Sequence, residues 1–88
     1  MAFVLRLTGD RDVPLGPTIE LLRAFKDMAA LDPGDRYPAL YGVTQTNEEI
    51  LDDAYVREVA RQARAFRRAH GRSLSTQARW VLEQLEAM

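Results

Sequence analysis

From Phe3 to Thr8 the chain alternates Phe3, Leu5 and Leu7 against Val4, Arg6 and Thr8, the period of a half-buried strand. One strand cannot stand alone, so it must pair with another strand of this chain or with its copy in a second chain. The following GDRDVPLGP is rich in turn residues and reads as a loop. Pro17 suits a first helical position, and from Ile19 the residues Leu22, Phe25, Met28 and Ala29 recur at helical spacing. A helix over about 17–31 is expected, closed by the turn residues Asp32, Pro33, Gly34 and Asp35. RYPALYGVT reads as irregular or briefly extended, with Tyr37, Leu40, Tyr41 and Val43 available to the core.

Thr46 and Glu49 match a capping box, which predicts a second helix from about Asn47 to His70 with Gly71 as a left-handed stop. Its apolar face shifts phase. At 100° per residue, Ile50, Leu51, Ala54 and Tyr55 lie about 150° from Val56, Val59, Ala60, Ala63 and Phe66. Either the helix breaks near Asp52 and Asp53, with Asp53 capping a second segment, or it meets different neighbours along its length. Ser73 is the expected cap of a last helix with the stripe Leu74, Ala78, Val81, Leu82 and Leu85. The pattern predicts one small domain over residues 1–88, mainly α, with three to four helices and a short N-terminal β-strand.

Composition narrows the chemistry. The 88 residues are 47% hydrophobic and 28% charged, a globular balance whose core is small enough to gain from oligomerisation. With no cysteine and one histidine, disulfides, thiolate catalysis and cysteine-bound zinc are excluded, and no metal or other cofactor is expected. Asp10 and Asp12 lack the further oxygen ligands of a calcium loop. His70 has no partner set of a catalytic triad and suits the end of a helix, so a non-enzymatic protein is expected. The apolar run at the N-terminus stops at Thr8, too short for a signal peptide or a membrane span, so the expected setting is cytoplasmic.

The net charge of −1 conceals a polarised chain: residues 1–55 hold five basic and ten acidic side chains, and residues 56–88 hold seven basic and three acidic. Arg57, Arg61, Arg64 and Arg68 fall at i, i+4, i+7 and i+11, within about 60° of arc, and Arg72 extends them past the turn. Such a stripe is either a solvated face or a ridge for phosphates or an acidic protein surface. It could also be neutralised internally by Glu48, Glu49, Asp52 and Asp53. Arg67, nearer the apolar face, reads as a cover for the core. Trp80 points away from the last helix's core stripe, suiting either an interface or packing against the first helix or the Tyr37–Tyr41 segment.

Residues 51 to 85 resemble the helical part of ribbon-helix-helix repressors and antitoxins, through Leu51-Asp52-Asp53 before a helix, Gly71-Arg72-Ser73-Leu74 at the turn, and Ala78, Val81, Leu82 and Leu85 after it. The resemblance implies an intertwined dimer whose paired strands, each just before the first helix, enter the major groove. In that position this chain has VTQTNEEIL, where Glu48 and Glu49 would be repelled by phosphate. The leading expectation is therefore a protein-interaction module, a small regulator, inhibitor or adaptor of bacterial or phage type. It would dock on an acidic protein surface through Arg57, Arg61, Arg64, Arg68, Arg72 and Trp80, with a homodimer a further partner and no membrane involved. The second is a diverged ribbon-helix-helix DNA-binding regulator or antitoxin.

Overall fold

The computed structural model describes residues 1–46 and 49–88. Strand β1 (Ala2–Leu7) turns back into β2 (Arg11–Pro17), which leads into helix α1 (Thr18–Leu31); then come a short helix α2 (Pro38–Tyr41) and a 3-10 turn (Gly42–Gln45). A two-residue strand β3 (Ile50–Leu51) precedes the long helix α3 (Asp53–His70), and a 3-10 turn (Gly71–Ser73) joins it to α4 (Thr76–Glu86). Among the described residues the protein is mainly α, with four helices and an N-terminal strand.

The partner of β1 lies in the same chain, in the stretch expected to be a loop. Gly9 and Asp10 reverse the chain with positive φ values of 74° and 59°, which glycine and aspartate tolerate best. β2 then pairs antiparallel with β1, setting Arg6 opposite Asp12 and Leu5 opposite Val13. Pro14 and Pro17 are compatible with this because the strand order is β2-β1-β3, which leaves β2 at an edge. On the other side β3 runs parallel to β1, with Arg6 opposite Ile50. The predicted alternation holds: Phe3, Leu5 and Leu7 are buried and Arg6 and Thr8 are exposed.

α1 and α4 pack on the inner face of the sheet, and α3 packs on α4 and α2. Leu5, Leu15, Leu21, Met28, Val59, Phe66, Val81, Leu82 and Leu85 are fully enclosed. Phe66 is the hub, with the Tyr37 ring edge-on at 5.0 Å and Tyr41 at 6.4 Å. Two polar groups enter this interior with their partners. Gln62 accepts a hydrogen bond from the Leu40 backbone N–H at 3.0 Å, tying α2 to α3. Gln62→Leu would leave that N–H buried without an acceptor, so a loss of about 1–3 kcal/mol is expected in urea unfolding.

Asp32, 2% exposed beyond the end of α1, accepts from the Arg36 backbone N–H at 2.9 Å and the Tyr41 hydroxyl at 3.0 Å. Burial pushes its carboxyl upward, but these donors and the Arg36 guanidinium together hold it below its ordinary value. Burial and the Asp32 carboxylate push Tyr41 up, so its hydroxyl remains a donor. A carboxyl lowered in the folded state stabilises above its unfolded value and loses that contribution as pH falls through the folded one. The melting temperature should therefore fall on acidification below about pH 4, and Asp32→Asn should flatten that slope.

The phase shift near residue 52 is a break. Asp52 caps α3 by accepting from the Tyr55 N–H at 2.8 Å, one residue before the expected cap Asp53. Thr46 is not helical and forms no capping box, since its hydroxyl donates to the Val43 carbonyl at 2.8 Å; the expected start at Asn47, and Glu48, lie outside the described residues. At the far end Gly71 has φ −51° and ψ −36°, so it continues a helical turn and is not left-handed. The reversal falls at Leu74 and Ser75, both extended, and Ser75 rather than Ser73 caps α4, accepting from the Ala78 N–H at 3.1 Å. A Cβ on Gly71 would meet nothing within 4 Å. Gly71→Ala should thus raise stability by about 0.4–1 kcal/mol through the unfolded state, and a fall in melting temperature would contradict this backbone geometry.

Candidate functional site

α3 turns Val56, Val59, Gln62, Ala63 and Phe66 inward. At 100° per residue the predicted arginine stripe lies about 180° from that face. Arg57, Arg61, Arg64, Arg68 and Arg72 are all exposed, but their charges are not equally available. Arg61 donates to Glu58 at 2.7 Å, and this bond holds the Glu58 carboxyl below the usual carboxylate range. Arg67 grips Glu86 of α4 through two donors, one at 2.9 Å, and Arg64 approaches the same carboxylate at 3.9 Å. Arg57, Arg68 and Arg72 make no ion pair among the described residues.

Among the described residues, neutralisation comes from within the C-terminal half. Asp52 is engaged as a cap and Asp53 accepts from the Thr8 hydroxyl at 2.8 Å. Neither they nor Glu49 bridges to the stripe. Among the described residues the ridge is interrupted in its middle and open at its ends, with Arg57 and Arg68 about 16 Å apart along the axis.

At the C-terminal end the open charge is concentrated. Arg67, Arg68, Ala69, His70, Gly71, Arg72, Ser73 and Arg79 line a shallow basin of about 730 Å³ at the α3–α4 corner, and no residue of its lining is acidic. Arg79, which the stripe does not include, donates to the Gly71 carbonyl at 2.8 Å. That bond satisfies an acceptor at the end of α3 and fixes the Arg79 guanidinium over the turn. The His70 ring lies tilted against Phe66 at 4.7 Å, so the basin is backed by the core. The α3 dipole supplies about half a negative charge here. Arg68, Arg72 and Arg79 exceed it severalfold.

Trp80 does not join this surface. It is 38% exposed, and a Cβ on Gly16 would lie 3.8 Å from its ring, so the indole lies against β2. Around α4 it stands about 100° from Arg79, facing away from α3. The predicted set therefore separates into Arg57 near one end of α3, Arg61 and Arg64 engaged in its middle, Arg68 and Arg72 in the basin, and Trp80 against the sheet edge. Arg79 is the functional candidate missed in the sequence. Its only signal was a basic residue in the first turns after the Gly71–Ser75 corner.

Among the described residues, no group of three or more histidine, aspartate or glutamate side chains is gathered as a metal site, and no helix is long and apolar enough to cross a membrane. The segment ahead of α3, where a ribbon-helix-helix protein has its DNA-reading strand, is the two-residue β3 paired with β1 of the same molecule. No family model, curated protein or solved structure matches the chain.

Proposed function

We propose that this chain is a non-enzymatic binding module that docks on an acidic surface of another protein, in a cytoplasmic setting, with the α3–α4 corner as its contact. The observation carrying this reading is the basin itself: Arg68, Arg72 and Arg79 gathered at one corner, with no carboxylate on its lining. Guanidinium groups offer fixed donor forks to carboxylates, and unneutralised charge of one sign raises the rate of encounter with a partner of the other. Trp80 would add apolar contact only to a partner that reaches round α4 to the β2 edge.

The DNA-binding alternative draws on the same arginines but finds its row of charge interrupted by Glu58 and Glu86. Affinity purification from the native cell, repeated after nuclease treatment, separates the two. A protein retained after nuclease, and lost when the basin is reversed in charge, supports docking. Recovery of nucleic acid alone would overturn it.

A further inference from the structure

Resting on the docking reading, we infer that the α3–α4 basin recognises a phosphate monoester carried on the protein partner. Three features of the corner converge on that ligand.

The first is charge. Arg68, Arg72 and Arg79 crowd one depression, whereas a carboxylate would neutralise only one of them. A phosphoserine or phosphothreonine brings about −1.5 to −2 charges and three acceptor oxygens on one atom, which lets several guanidinium forks bond it together. The second is preorganisation. Arg79 is held by its bond to the Gly71 carbonyl, and the Gly71–Ser73 turn carries Arg72 and the exposed Ser73 hydroxyl on its rim. Less side-chain freedom is lost on binding than three unrestrained arginines would lose. The third is shape: a basin of about 730 Å³ has room for a phosphoryl group together with the chain segment that bears it.

Other phosphates fit less well. A duplex presents its charges in a row, and the row on α3 is broken where Arg61 meets Glu58 and Arg67 meets Glu86. A lipid headgroup would be accompanied by a bilayer surface, yet the lining offers no apolar side chain larger than Ala69 to insert.

The test is titration of the full chain, followed by isotope-edited NMR and calorimetry, with a phosphoserine peptide flanked by glycines, its serine and glutamate counterparts, a short DNA duplex, and vesicles containing a phosphoinositide. The phosphopeptide should bind at least about tenfold more tightly than the glutamate peptide and shift the Arg72 and Ser73 amides. Arg68→Ala and Arg72→Ala should each weaken it about fivefold or more, while Arg57→Ala, at the other end of α3, leaves it unchanged. The inference is overturned if the phosphopeptide does not bind at about 5 mM, if the glutamate peptide binds equally, or if only the duplex or the vesicles bind. A partner retained through phosphatase treatment would sink the phosphate inference and leave docking standing. Phosphopeptide binding by a chain that retains no protein after nuclease would do the reverse.

Discussion

Phe66→Ala is expected to lower the melting temperature by about 15–30 °C, the largest effect of any single substitution considered for this fold. The Phe66 ring is fully enclosed and lies against Tyr37, Tyr41 and His70, so its removal empties a space bounded by several elements. Truncating a buried phenylalanine costs about 3–5 kcal/mol, and a domain of this size holds about 5–15 kcal/mol in all. Phe66→Leu keeps most of the volume and should cost less than about 1.5 kcal/mol if the core repacks. Thermal melting followed by circular dichroism distinguishes these outcomes, and a melting temperature within about 5 °C of the parent for the alanine variant would show that the ring is not the hub. A functional consequence follows from His70, which rests on this ring: with the ring gone, the end of α3 loses its backing and the basin loosens.

What could be read beforehand follows from how local each cause is. β1 was legible because a buried face imposes its own period on the side chains, whatever they pack against. The span of α1 was legible too but its inward face was not, since Ile19, Leu22 and Ala29 of the expected stripe are exposed and Leu21 and Ala24 are buried beside Phe25 and Met28. β2 was hidden by Pro14, Gly16 and Pro17, which argue against a strand unless it is known to lie at an edge, and edge position is a property of the assembled sheet. The break before α3 showed as a change in apolar phase, whereas the Thr46–Glu49 capping box misled because the threonine hydroxyl found the Val43 carbonyl instead. Ser73 and Ser75 are equally good caps in isolation. The choice was made by Leu74, which is buried and extended between them.

The same distinction divides the candidate site. Arg68 and Arg72 were legible because they lie on one helical stripe and its continuation. Arg79 was not, because it reaches the basin from a second helix through the Gly71 carbonyl. Nor was the pairing of Arg67 with Glu86, nineteen residues on, which depends on how α3 and α4 pack. Asp32 read as an ordinary turn residue, yet its burial depends on Tyr41 and Arg36 folding back over it.

Reversing the basin with Arg68→Glu and Arg72→Glu together is expected to weaken partner binding by about 10²–10³-fold while leaving the fold intact. The substitutions replace two of three clustered positive charges with negative ones beside Arg79, taking the cluster from +3 to −1. Like charges brought together across an interface cost several kcal/mol, and about 1.4 kcal/mol is a factor of ten. The effect on stability is smaller because both side chains are exposed and unpaired among the described residues. Losing favourable charge at the end of α3 costs about 0.3–1 kcal/mol per residue, a fall of several degrees in melting temperature. Quantitative recovery of the nuclease-resistant partner by the parent, the double variant and Arg57→Glu measures the effect directly. Arg57 is about 16 Å from Arg68 along α3, so reversing it alone should change recovery far less. Equal losses for Arg57→Glu and the double variant would mean that binding follows the charge of the whole helix, and would remove the reason for placing the contact at the corner.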